Sequence, residues 1–107
     1  MIKMVERPSR LKITVLRRMK PSDVLDEPPI KGGAGSACGI YTDGQEFYVE
    51  ENGRMPEGFC SWAWNDLTKV LHTLRFNGNY HFFEEPGVSV NCCTDGLRPV
   101  IFKLERV

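Results

Sequence analysis

Ala63, Leu67, Val70, Leu71 and Leu74 recur at helical spacing and form one apolar stripe. This stripe limits what the chain can become, because a helix with a single apolar face must bury it against another element. The spacing predicts a helix over about 60–75, with Asp66, Lys69 and Thr73 on the opposite side. Pro56-Glu57-Gly58 sets its entrance. Asn77-Gly78-Asn79 supplies residues that accept a left-handed conformation at its exit.

The remaining apolar residues alternate with period two and supply the surface that the helix needs. Leu11, Ile13 and Val15 alternate with Lys12 and Thr14, so a strand is predicted over about 10–18, ended by Pro21. Phe47 and Val49 alternate with Glu46, Tyr48 and Glu50. Asp43-Gly44, a two-residue hairpin signal, separates them from a short strand at Ile40-Tyr41, and Asn52-Gly53 turns the chain again. Val88, Val90 and Cys92 form the core-facing set of a further strand, and Asp95-Gly96 marks a second hairpin. Val100, Phe102 and Leu104 share one face of a last strand over about 98–106, with Pro99 at its start because it cannot donate to a ladder.

The order is β-ββ-α-ββ. The economical arrangement is a two-layer α+β domain, one helix packed across a mostly antiparallel sheet. A small curled barrel plugged by the helix is the alternative. The chain has 107 residues, enough for one domain, read as a loose tail at 1–9 and a single unit at 10–107. A chain of this size buries roughly two-thirds of its unfolded surface, so a core forms without staples. No tandem repeat is visible within it.

Formal net charge is zero but unevenly placed. Residues 1–20 carry seven basic side chains against Glu6, and residues 21–60 carry eight acids against Lys31 and Arg54. A basic first strand suits phosphate. An edge strand guarded by cations explains it better, and is preferred over nucleic-acid binding. Lys31-Gly-Gly-Ala-Gly-Ser, in a long loop over 20–37, has the glycines of a phosphate cradle but no lysine and hydroxyl at Walker spacing. No run reaches the ~18–20 apolar residues of a membrane span, and the first residues lack an apolar signal core. These features predict a cytoplasmic setting without membrane partners, where thiols stay reduced.

Four cysteines stand out in that setting: Cys38, Cys60, Cys92 and Cys93, with no Cys-x-x-Cys pair. Cys60 lies at the predicted helix start, where unpaired N–H groups and the helix dipole favour negative charge. Its position on the stripe of Ala63 and Leu67 points it inward. Cys38 follows the glycine loop and Cys93 ends a strand, so both sit where side chains can converge on a neighbour. Cys92 shares the parity of Val88 and Val90 and reads as packing. His72 is placed on the helix flank and His81 in an aromatic loop. No Ser-His-Asp order, carboxylate pair or dinucleotide fingerprint is present, so no catalytic motif is recognised.

Three blocks carry a resemblance: Cys38-x-x-x-x-x-Gly44-x-x-Phe47; Pro56-x-Gly58-Phe59-Cys60-x-x-Ala63-Trp64 running on to Leu74-Arg75-Phe76-x-Gly78; and Cys93-x-Asp95-Gly96-x-Arg98-Pro99-Val100 with Phe102 and Arg106. On these the chain resembles a family of short, uncharacterised prokaryotic proteins, common in anaerobes and in places arranged as tandem repeats. The resemblance implies that Cys38, Cys60 and Cys93 occupy the family's cysteine positions and that Cys92 is an addition. This chain has Tyr41 near where many relatives have a histidine, and Thr94 where they tend to have proline. The family brings no established activity.

Two functional classes follow. In the first, Cys38, Cys60 and Cys93 form a metal or redox thiol site. Three thiolates suit zinc at ~2.3 Å each with a fourth ligand, or an iron–sulfur cluster with one non-cysteine ligand. In the second, the cysteines are structural and the protein is a non-enzymatic interaction module. Trp62, on the polar flank, and Tyr80, Phe82 and Phe83 would then contact a protein partner or a second copy. Trp64, nearer the stripe, is assigned to the core.

Overall fold

The computed structural model describes residues 7–31 and 35–107. The chain forms β1 (Leu11–Arg18), a one-turn α1 (Pro21–Val24), β2 (Glu46–Val49), α2 (Ser61–Arg75), β3 (Val88–Cys92) and β4 (Val100–Arg106). All four strands lie in one antiparallel sheet in the order β2-β1-β4-β3. The helix α2 packs on one face of it, giving the two-layer α+β arrangement.

The helix stripe is buried as its spacing requires: Ala63, Leu67, Val70, Leu71 and Leu74 all lie in the core. They meet Leu11, Ile13 and Val15 of β1, Phe47 and Val49 of β2, and Val100, Phe102 and Leu104 of β4 in one cluster. In β1 the alternation breaks between Val15 and Arg17, where a bulge leaves Leu16 exposed.

The helix exit carries a Schellman motif. Asn77 takes φ 68°, its N–H donates to the Leu74 carbonyl at 3.2 Å, and the Gly78 N–H donates to the Thr73 carbonyl at 2.8 Å. A Cβ on Gly78 would stand 2.8 Å from that same carbonyl oxygen, so the close approach needs glycine. The Arg106 guanidinium, from the end of β4, donates to the Leu74 carbonyl at 3.1 Å and the Gly78 carbonyl at 2.6 Å, and also bonds Asn79. It thus adds a charged donor to the Leu74 carbonyl, already bonded by the Asn77 N–H, and to the Gly78 carbonyl just past the helix, at the negative end of the dipole.

Four expectations need correction. Ile40-Tyr41 is not a strand: residues 35–45 adopt neither helix nor strand, so the order loses one strand before α2. Asp43-Gly44 does not close a hairpin of the primed type. Only Gly44 takes a positive φ, and the turn feeds β1 directly through Gly44 N–H to the Val15 carbonyl at 2.7 Å. The parity of β3 is reversed: Ser89 is 3% exposed, whereas Val90 is 41% exposed and Cys92 is exposed. Ser89 tolerates burial because its hydroxyl donates to the Asn91 side chain at 2.6 Å.

The fourth correction concerns the basic first strand, which is central and not an edge. Its cations face acids on the flanking strands: Lys12 reaches Glu46 of β2 and Glu105 of β4, each at 3.5 Å. Just before the strand, Arg10 pairs with Glu50 at 2.6 Å. Both flanking carboxylates raise the ionisation of Lys12, Glu105 more than Glu46. The loop over 20–37 contains α1, whose N-terminus is closed by the Asp23 carboxylate accepting from the Lys20 N–H at 2.9 Å. The centre of the glycine cradle, 32–34, lies outside the described residues, as does most of the tail at 1–9. Ser9 of that tail is tied to the helix exit through its N–H to the Arg75 carbonyl at 2.7 Å.

Candidate functional site

Cys38, Cys60 and Cys93 line one cavity of about 480 Å³. Each comes from a different segment. Cys38 lies in the irregular stretch 35–45, Cys60 is the N-cap residue of α2, and Cys93 directly follows β3. All three are free thiols; Cys38 and Cys60 are half-buried and Cys93 is buried. Apolar side chains, among them Ile40, Tyr41, Trp62, Ala63 and Leu97, make up most of the wall, and among the described residues Asp95 and Arg98 are its charged members.

The local sequence explains each placement. Cys60 holds an extended backbone (φ −75°, ψ 127°), and its carbonyl accepts the first helical bond, from Trp64 N–H at 2.9 Å. Its side chain makes no capping bond, and the residue lines the cavity. Its N–H donates to the Tyr41 hydroxyl at 3.1 Å. Cys38 is held from behind, where Arg18 donates from its guanidinium to the Cys38 carbonyl at 3.1 Å while its Nε reaches Asp43 at 3.0 Å. Cys93 is committed to the fold. Its N–H donates to the Val100 carbonyl at 3.2 Å, and its sulfur accepts from Val100 N–H at 3.4 Å.

Tyr41 ties these parts together. Its ring is buried edge-on against Phe47, Phe59 and Phe102, with centroids 5.7, 5.4 and 5.3 Å away. Burial holds its phenol well above the usual ionisation range; the Cys60 N–H works against that shift. Cys60, Cys38 and Cys93 all add to it, so the three thiols share the neighbourhood of one hydroxyl.

The loop 94–98 forms one wall and is pinned at two points. Thr94 N–H donates to the Asp66 carboxylate at 2.8 Å, and the Thr94 hydroxyl donates to the same carboxylate. That hydroxyl also accepts from the Trp62 indole N–H at 2.8 Å. Asp95 accepts from Leu97 N–H and Arg98 N–H, both at 3.0 Å. These bonds, the Arg98 amide foremost, hold its carboxyl below the usual range against some desolvation. Asp95-Gly96 is therefore an Asx turn inside a longer β3–β4 loop, not a two-residue hairpin.

The three cysteines singled out in the sequence line one cavity. They are not grouped as metal ligands: among the described residues no three His, Cys, Asp or Glu side chains are placed to hold a metal ion. Cys92, assigned to packing, is instead exposed on β3. The predicted aromatic patch is divided. Trp62 is 65% exposed and belongs to the thiol cavity at the start of α2. Tyr80, Phe82 and Phe83 lie in the loop that follows that helix. There they form a cluster with His81. His72 is exposed and its ring meets Phe76 at a tilt, with centroids 4.7 Å apart. Trp64 is only partly buried, its ring edge-on to Phe59 at 5.9 Å.

Sequence reasoning did not assign site roles to Tyr41, Asp66 or Arg18. No periodic signal marks Tyr41, and the other two act only through contacts distant in sequence. No helix among the described residues is long and apolar enough to cross a membrane. The chain matches no family model, no curated protein and no solved structure.

Proposed function

We propose that the cavity is a thiol–disulfide exchange site, with Cys60 as the attacking thiol and Cys38 as its exchange partner. The observation that carries this reading is that three cysteines from three separate segments line one cavity. Cys60 has its backbone fixed at a helix N-cap and its sulfur uncommitted. Cys38 sits in an irregular stretch and lines the same cavity as a half-buried thiol. Cys93 has its sulfur engaged by Val100 and serves the core.

The exchange balances in two steps. The Cys60 thiol attacks one sulfur of a disulfide R–S–S–R, whose S–S bond breaks. One R–SH leaves with the thiol proton, and Cys60 carries the mixed disulfide. The Cys38 thiol then attacks the Cys60 sulfur, releasing the second R–SH and closing a Cys38–Cys60 disulfide. Two protein thiols are oxidised and one external disulfide is reduced; the reverse reaction reduces the protein.

Zinc or an iron–sulfur cluster on the same trio asks all three sulfurs to close on one centre. Exchange asks two sulfurs to meet in turn, which suits thiols that share a cavity without being grouped as ligands. The resemblance to the prokaryotic family rests on its three sequence blocks and carries no weight in this choice.

The test is equilibration of the full chain in thiol–disulfide buffers, with metal analysis of the same anaerobic preparation. A single two-electron couple is expected, kept in Cys92→Ser and lost in Cys38→Ser and Cys60→Ser. A couple that survives both losses, or stoichiometric metal lost with Cys60→Ser, overturns the reading.

A second reading rests on Phe82, which is 68% exposed at the apex of the Tyr80–Phe83 cluster. That loop would serve self-association or a protein partner, and Phe82→Ser should then shift the sizing profile or abolish partner capture.

A further inference from the structure

The exchange reading leaves open what the thiols react with, and the cavity wall narrows it. Cys60 and Cys38 are recessed in a concavity of about 480 Å³, the size of a small-molecule site rather than a flat protein contact. Most of the polar groups around it are already used. Thr94 spends its hydroxyl on Asp66 and Trp62. The Asp95 carboxylate takes two backbone N–H groups and lies 3.6 Å from Arg98 Nε. The Tyr41 oxygen takes the Cys60 N–H.

Arg98 is different. Among the described residues its guanidinium is paired with one carboxylate, Asp95, at 3.6 Å from Nε, and that single carboxylate cannot occupy all five of its N–H groups. The others offer donors with planar geometry, the arrangement that matches a carboxylate. Among the described residues no other cation lines the cavity; Arg18 lies behind Cys38 and is engaged by Asp43 and the Cys38 carbonyl.

Resting on the exchange reading, we infer that the reactant is a small disulfide, or its thiol, bearing a carboxylate that Arg98 anchors while the sulfur meets Cys60. The apolar wall of Ile40, Trp62 and Leu97 takes the carbon skeleton. Arg98 binds substrate in this scheme, and Cys60 and Cys38 carry the electrons as written above.

The experiment uses the full reduced chain and three small disulfides of similar size: dithiodiglycolate (anionic), hydroxyethyl disulfide (neutral) and cystamine (cationic). Each rate of protein oxidation is divided by the rate of the same disulfide with free mercaptoethanol, which removes intrinsic reactivity. The normalised rate should be about tenfold higher for the anionic than for the neutral disulfide, the lower range for a hydrogen bond to a charged group. It should be lowest for cystamine. In Arg98→Gln the anionic-to-neutral ratio should fall to about one, and Arg98→Lys should keep a ratio above one.

A wild-type ratio near one, or a ratio that survives Arg98→Gln, overturns the carboxylate inference and leaves the exchange reading standing. Failure of all three disulfides to oxidise Cys38 and Cys60 overturns both.

Discussion

The Cys60 backbone N–H donates to the Tyr41 hydroxyl at 3.1 Å, so the entrance of α2 and the irregular 35–45 segment are joined beside the thiols. The first three N–H groups of a helix have no internal partner, and neither does the N-cap N–H that precedes them. Here a buried phenol supplies the acceptor and fixes where the Cys60 side chain starts.

Tyr41→Phe tests that bond with little change in shape. The ring keeps its edge contacts with Phe47, Phe59 and Phe102, and only the acceptor is lost. Denaturant unfolding should show a loss of about 1–2 kcal/mol. The oxidation rate of Cys60 should change as well, because its backbone loses its anchor.

Alkali should unfold the protein partly through the same residue. The folded state raises the phenol's ionisation, so its contribution is fully present below about pH 10, the ordinary tyrosine value. As pH rises past that point the unfolded chain ionises first and stability falls. Stability measured as a function of pH should show this decline, and Tyr41→Phe should lose its share. An equal slope in both proteins would contradict the assignment.

Asp66 positions the cavity wall without touching the thiols. Asp66→Ala removes the acceptor of both the Thr94 N–H and its hydroxyl. Because this site is exposed, the loss of stability should be modest, about 1 kcal/mol. The clearer readout is amide hydrogen exchange, in which Thr94 should lose protection while the interior of α2 keeps it.

Arg106 closes the opposite end of the helix. Arg106→Ala strips donors from the Leu74 and Gly78 carbonyls and should cost about 2–3 kcal/mol on unfolding. Arg106→Lys should recover only part of that, since one ammonium does not reproduce a planar fork reaching both carbonyls and Asn79.

The parts of this architecture that follow a period were legible in the sequence. The α2 stripe, its Asn77 exit and the inward faces of β1, β2 and β4 all follow from spacing alone. Cys38, Cys60 and Cys93 stand at element ends in the sequence, where side chains can share a space, and all three line one cavity. The parity of β3 was not legible. An edge strand has one partner, and its valines face away from α2 while Ser89 and Cys93 turn inward, a choice set by pairing with β4. Tyr41 was misassigned for a related reason: it enters the core from an irregular stretch, held by ring contacts and one hydrogen bond rather than by a ladder. The pinning of Thr94 by Asp66 spans 28 residues and leaves no local trace.

The most direct measurement is the disulfide map of the native chain after oxidation by one equivalent of hydroxyethyl disulfide. Digestion and mass spectrometry should find a single intramolecular link between Cys38 and Cys60, with Cys92 and Cys93 recovered as free thiols. A product linked only between chains through Cys92, or one that leaves Cys38 and Cys60 unpaired, would contradict the account.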